Sequence, residues 1–262
     1  MDISGICYRL IRKLVHAVYP KMELTGTLPE GPSVIVANHT QMNGPIACEF
    51  YLPGDRAIWC ASQMMKLREV PGYAYEDFWS FKPKLVRPFY RLLSYLIAPL
   101  SVLIFNHAHT IPVYRDTRVL STFRESLETL DRGGRIVIFP EKNQPYNNIL
   151  YEFQDRFIDL GRMYCKRTGQ ALAFVPMYIA PKLRRMVVGE PVRYDPSVPP
   201  AEERERICRE LMERITDLAA EQPLHTVVPY RNIKKRDYPK NLPVQDRRPK
   251  TAVVSEPGKE DR

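Results

Sequence analysis

Three places in the chain bring a chemically capable side chain to the end of an apolar run. His39 follows Ser33-Val34-Ile35-Val36-Ala37-Asn38, Arg115 follows Thr110-Ile111-Pro112-Val113-Tyr114, and Glu141-Lys142 follow Arg135-Ile136-Val137-Ile138-Phe139-Pro140. A histidine takes or gives a proton near neutral pH. A guanidinium pairs with carboxylate or phosphate, and an ammonium attracts the same anions as a point charge. Together they are the parts for proton transfer at an anionic substrate. Each also has a plainer use. His39 serves as a loop histidine, Arg115 pairs with Asp116 on the surface, Glu141 caps backbone amides, and Lys142 is solvated.

The elements that carry these residues read as an α/β chain. Short β-branched runs are buried strands, and ligands gather at the carboxyl ends of strands in open α/β sheets. After His39 comes a polar loop, then Gly44-Pro45 and a helix to Tyr51, since the first helical turn accepts proline. A strand is expected over 22–27, with a turn at 29–32. Further strands are expected at 57–61, 110–114, 135–139, 172–179 and 186–191, with helices at 117–130, 151–166 and 201–220. This alternation predicts a central mixed sheet flanked by helices.

Residues 3–18 read as an amphipathic helix. Ile3, Cys7, Leu10, Ile11, Leu14, Val15 and Val18 share one face, opposite Arg9, Arg12, Lys13 and His16. Such a helix either packs on its own domain or lies on an anionic membrane. Residues 62–106 mix aromatics with Lys82, Lys84, Arg87 and Arg91, and suit core, an apolar tunnel or a headgroup interface. The longest apolar stretch, 92–105, is broken by Pro99 and is short for a membrane span.

The chain has 262 residues and a net charge of +9. Residues 230–262 hold ten Lys/Arg and five Asp/Glu, so more than half of that charge sits in the tail. No nucleic-acid motif accompanies it. Five scattered cysteines without CxxC spacing suit a reducing compartment rather than a disulfide framework or a zinc site. His107 and His109 lack a third ligand, so no metal is expected. No secretory signal is visible. The organisation reads as a basic amphipathic helix over 1–20, an α/β domain over 21–222, and a basic, proline-rich tail over 223–262.

In order, Asn38-His39, Ile111-Pro112-Val113-Tyr114-Arg115, Phe139-Pro140-Glu141 and Phe174-Val175-Pro176-Met177-Tyr178 resemble the four motifs of the glycerolipid acyltransferases related to lysophosphatidate acyltransferase. The resemblance spans residues 33–190. It implies transfer of a fatty acyl group from acyl-CoA or an acyl carrier protein to a glycerolipid hydroxyl. It further implies no cofactor beyond that co-substrate and a peripheral place on the cytoplasmic face of a membrane. By this likeness His39 and Glu141 are catalytic, and Asn38, Arg115 and Lys142 bind the acceptor and its phosphate. Asn43, Phe139, Pro140 and Pro176 support the motifs.

The chain departs from the pattern at three positions. Gly44 stands where the family has the aspartate that orients the histidine, Lys142 replaces a glycine, and Gln144 replaces an arginine. Another acid must then orient His39, with Glu141 first, Asp77 or Glu49 behind it, and Asn43 as a weak substitute. Otherwise the site binds a lipid or acyl group without turnover, or the protein is a soluble acyltransferase or hydrolase with a phosphate-free acceptor.

Overall fold

Strands that are apolar along their whole length require cover on both faces, and the sheet at the centre of this protein has it. The computed structural model describes residues 3–80 and 82–242. Helix α1 (Ile3–Val18) and strands β1 (Glu23–Thr25) and β2 (Ser33–Ala37) lead to α2 (Asn43–Tyr51) and β3 (Arg56–Ala61). Helix α3 (Val70–Ala74) runs on into a π turn, Tyr75–Trp79, ahead of α4 (Arg87–His107) and β4 (Thr110–Val113). Then come α5 (Val119–Asp131), β5 (Arg135–Ile138), β6 (Glu141–Pro145), β7 (Tyr151–Phe153) and α6 (Asp159–Thr168). The last elements are β8 (Ala173–Ala180), β9 (Arg185–Val188), β10 (Val192–Arg193) and α7 (Pro200–Ala220).

The main sheet runs β1-β9-β8-β2-β5-β3-β4, with β10 also paired to β8. The five strands β8, β2, β5, β3 and β4 are mutually parallel, and β9 and β10 are antiparallel to β8. This is the α/β architecture with a central mixed sheet expected from the strand and helix alternation. Side chains alternate across the sheet. Val34, Val36, Ile136, Ile138, Phe174 and Tyr178 join one core with residues of α5, α6 and α7. Ile35, Ala37, Val137, Val175, Met177 and Ile179 join the other with Ala47, Cys48 and Leu52 around α2. A one-residue slip of β2 would exchange the two cores, so register is fixed by packing.

Pro176 lies inside fully buried β8, paired with Val36 of β2. A proline there is tolerated because β8 changes partner at this point. β9 pairs with Met177 to Ala180, and β10 with Ala173 and Phe174. Pro176 falls in the gap between them, where Gly189 N–H donates to its carbonyl at 2.9 Å.

Two expectations are corrected. The helix expected over 151–166 begins later, at Asp159, because Tyr151–Phe153 pairs with Glu141–Pro145 as a separate hairpin. Gly169, in the left-handed conformation at φ 73°, ends that helix. The segment from 223, expected as a tail, docks on the domain as far as residue 242. Val227 and Val228 are buried, and Asn241 is buried with its amide bonded to Ala219 O and Gln222 O. The rest of the expected tail, 243–262, lies outside the described residues.

Helices α3 and α4 form a separate layer around Val70, Ala74 and Ala98. Much of α4 faces outward. Phe89, Leu92, Tyr95, Leu96 and Leu100 form an exposed stripe, and Ile3, Leu10, Leu14 and Val18 form another on α1. The apolar face of α1 is therefore not consumed by its own domain. By length and composition alone the segment Lys84–His107 is apolar enough to cross a membrane, and only 17% of its most apolar 18-residue window is buried.

Candidate active site

His39, Glu141 and Arg115 all stand at carboxyl ends of strands in one sheet, those of β2, β5 and β4. The strands are ordered β2-β5-β3-β4, so β2 and β4 are three spacings apart, about 14 Å at ~4.8 Å each.

The tip of β2 is wound tightly. Asn38 is buried, and its side chain extends the β2–β8 ladder beyond the strand. Its Nδ2 donates to Ile179 O at 3.0 Å, and its Oδ1 accepts from Ile179 N–H at 2.7 Å. The hydrogen bonds shown for Asn38, expected to help bind the acceptor, all go to the Ile179 backbone. Thr40 and Gln41 follow with φ of 47° and 56°, a left-handed pair built without glycine. Such residues cost of order 1–3 kcal/mol each and persist only where the surroundings hold them. Here Asn43 N–H and Asn43 Nδ2 both donate to Thr40 O, at 3.1 and 2.9 Å, and Gly44 N–H donates to His39 O at 3.1 Å. Asn43 therefore closes the loop and does not orient the imidazole.

Glu141 is 3% exposed and bonds backbone with both oxygens. His39 N–H donates to Oε1 at 2.6 Å and Tyr151 N–H donates to Oε2 at 2.9 Å. It fixes the main chain of His39, not the ring, which corrects the expectation that it replaces the missing aspartate. Burial pushes its carboxyl up to about 7, against the two amide donors. Glu49 is engaged elsewhere, with Arg12 at 3.2 Å. Asp77 lies among tyrosines, and burial raises its pKa.

The imidazole itself contacts two aromatic rings. Phe139 meets it edge to face at 5.1 Å, and Tyr230 does so at 5.4 Å. Its Nδ1 is buried with no hydrogen-bond partner, as is Thr40 Oγ1 beside it. Desolvation pulls the His39 pKa down to about 4, only partly offset by backbone at Gln41 and at His39 itself. The ring is neutral at pH 7 and able to accept a proton. Pro140 is buried behind the site, where its carbonyl accepts from Gln154 N–H at 2.8 Å.

Gly44 explains the absent aspartate in physical terms. A Cβ there would lie 2.5 Å from His39 O, 2.9 Å from Phe139 Cε1 and 3.1 Å from Asn38 O. The helix start is packed onto the histidine loop too closely for any side chain.

Arg115 is exposed. The neighbouring Asp116 pairs with Arg118 at 2.6 Å, not with Arg115. Arg115 instead lies close enough to Tyr73 and Tyr230 for its charge to lower their pKa values against the effect of burial. Lys142 is exposed on β6, next in line after buried Glu141, and its charge is felt by Cys208 of α7. Alternation along the strand turns it away from the face Glu141 uses, so it is not brought to His39.

Tyr230 was not anticipated as a site residue. The available signal was Val227-Val228-Pro229, an apolar run inside a charged tail. Among the described residues, the two best-formed surface depressions, of about 280 and 360 Å³, lie along α7 and not at the strand tips.

No protein-family model matches the chain, and no curated protein matches it by sequence. Among solved structures, it is similar to the 1-acyl-sn-glycerophosphate (LPA) acyltransferase PlsC from Thermotoga maritima. The two are 15% identical, with 81% of this chain and 83% of that chain covered and a TM-score of 0.39.

Proposed function

We propose that the protein is an acyltransferase that moves a fatty acyl group from a thioester, acyl-CoA or acyl carrier protein, to a hydroxyl of a glycerolipid-like acceptor. The observation that carries this reading is a neutral histidine at the carboxyl tip of the central strand, on the same sheet edge as an exposed arginine. In the reaction the acceptor oxygen attacks the thioester carbonyl carbon while the ring nitrogen not sealed in the loop takes the hydroxyl proton. The C–S bond then breaks, and the same nitrogen returns the proton to the thiolate. Arg115 holds an acceptor phosphate by charge and by its planar fork of donors. Glu141 keeps the His39 peptide in place throughout.

The apolar stripes of α1 and α4, with exposed Arg9, Lys13 and Arg91 on these helices and Lys84 just before α4, suit a protein lying on an anionic cytoplasmic leaflet. Donor and acceptor would then both be lipid-associated.

One observation favours a second reading, a catalytically reduced lipid- or acyl-binding protein. No carboxylate reaches the His39 ring among the described residues. In serine proteases, loss of the aspartate's charge in that orienting role costs ~10⁴ in rate.

The two readings separate in one assay. Acyl-CoA and a lysophospholipid are presented in anionic vesicles, and free thiol is measured. Acyl transfer predicts acceptor-dependent thiol release that falls by about 10²–10⁴ in His39→Ala. Co-sedimentation with the vesicles, with release no faster than in His39→Ala, selects the binding protein instead.

A further inference from the structure

The imidazole touches two aromatic walls, and they differ in origin. Phe139 comes from the end of β5, so it moves only with the sheet. Tyr230 comes from a C-terminal strap, residues 226–240, that folds back over the strand tips.

The strap is firm at its base. Thr226 and Lys240 pair across it, His225 N–H donates to Asn241 Oδ1 at 2.7 Å, and Tyr178 Oη lies 2.7 Å from His225 Nε2. Its far end is held lightly. Gln41 Nε2 donates to Tyr238 Oη at 2.9 Å and, more weakly, to Arg231 O at 3.5 Å, and Asn232 Nδ2 reaches Asp77 O at 3.4 Å. Val227, Val228 and Pro229 are buried just ahead of Tyr230, so the lightly held part is the outer limb 231–238, most of it exposed.

We propose that Tyr230 is the positioning residue for His39, its ring holding the imidazole in place of an orienting carboxylate, on a strap that lifts to admit the acceptor. The proposal deepens the acyltransferase reading and rests on it for the word acceptor. Three observations carry it. Nδ1 has no acceptor to set the ring's rotation. Gly44 leaves no room for a side chain that would supply one. The two ring contacts, at 5.1 and 5.4 Å, join the backbone at Gln41 and at His39 itself in fixing the imidazole. Access points the same way, because of the two walls only Tyr230 adjoins an exposed limb held by few bonds.

The groups facing Tyr230 come from several elements. Tyr73 belongs to α3 and Asp77 to the π turn, Arg115 follows β4, Glu141 and Tyr151 are on the hairpin, and Arg231 is its neighbour on the strap. Lifting the strap separates His39 from a ring that excludes water, and it leaves the carboxylate–amide bonds of Glu141 intact.

The test uses the full chain and a probe independent of turnover. Diethyl pyrocarbonate acylates accessible neutral imidazole, and peptide mass analysis assigns the modification to His39 rather than to the other histidines. Tyr230→Ala is expected to speed His39 modification at least fivefold, and Tyr230→Phe to leave it at the native rate. Gln41→Asn, too short to reach Tyr238 yet tolerant of the left-handed backbone, is expected to fall between them. In the thiol-release assay Tyr230→Ala is expected to lower kcat more than it changes KM. It is also expected to move the acid limb of the pH profile up toward the ordinary histidine range. Equal modification rates in all four proteins overturn the proposal, and so does a Tyr230→Phe variant that behaves like Tyr230→Ala. A protein that releases no thiol but shows the modification pattern loses the acyltransferase reading and keeps Tyr230 as the group that holds the ring.

Discussion

The tips of β2 and β4 look alike in sequence, each an apolar strand ending in one polar residue of catalytic type. They are built in opposite ways. At β2 the polar groups around His39 are spent on backbone: Asn38 on β8, Glu141 on two amides, Asn43 on Thr40. The imidazole is the one group left for chemistry. At β4 the nearby ion pair joins Asp116 to Arg118, and Arg115 stays exposed, its charge felt by Tyr73 and Tyr230. The first tip is over-determined and the second is open. On the proposed acyltransferase reading, a base must be held still, whereas a cation that collects a mobile headgroup gains from reach.

The comparison is broken most severely at Gly44. An aspartate there meets two backbone carbonyls and the Phe139 ring, so its insertion should displace the loop instead of completing the site. Gly44→Asp is expected to lose about 3 kcal/mol of stability, a Tm fall of roughly 6–12 °C for a chain of this size, together with activity. A faster enzyme at unchanged Tm would show that the β2 tip has slack.

Glu141→Gln comes next. One backbone N–H would face an amide NH₂ in a buried place, at a cost of about 1–3 kcal/mol. It also has a signature in pH. The Glu141 carboxyl is raised to about 7, so its contribution is full below the ordinary carboxylate value and is lost as pH rises toward 7. His39 is lowered to about 4, so its contribution is full above the ordinary imidazole value and is lost as pH falls toward 4. The two oppose each other between those ordinary values. Thermal melts of the native protein should therefore be flatter from pH 4.5 to 6.5 than those of Glu141→Gln, whose Tm should fall on acidification. Parallel curves would mean that Glu141 does not titrate in this range.

These contrasts also mark what was legible in the chain. Strand runs such as 34–37 and 136–139 were readable because both faces are covered and every position is apolar. The tips were readable as places, since apolar runs end where the sheet ends. The roles at those places were not. That Asn38 extends a ladder to Ile179, or that Glu141 reaches across to the His39 amide, depends on which strands are neighbours, and β5 and β8 lie about 100 and 140 residues beyond β2. The hairpin of β6 and β7 was missed because Glu141-Lys142-Asn143-Gln144-Pro145 has no apolar alternation. Tyr230 was missed because charge and proline around it outweigh two buried valines in any composition argument.

The smallest expected effect sharpens the comparison at the open end. Arg115 has no hydrogen bond or ion pair among the described residues, so Arg115→Ala should leave the Tm unchanged. If its guanidinium holds the acceptor's phosphate, kcat/KM for a lysophospholipid should fall by about 10–100-fold, the loss of a charge-assisted hydrogen bond. An acceptor with the same acyl chain and no phosphate should be used equally well by both proteins. Asp116→Ala, which frees only the exposed Arg118, should do little to either substrate. A loss shared by both acceptors would place Arg115 in the architecture of the site. A Tm drop as large as that of Glu141→Gln would mean that the β4 tip, like the β2 tip, is held by its neighbours, and the contrast between them would disappear.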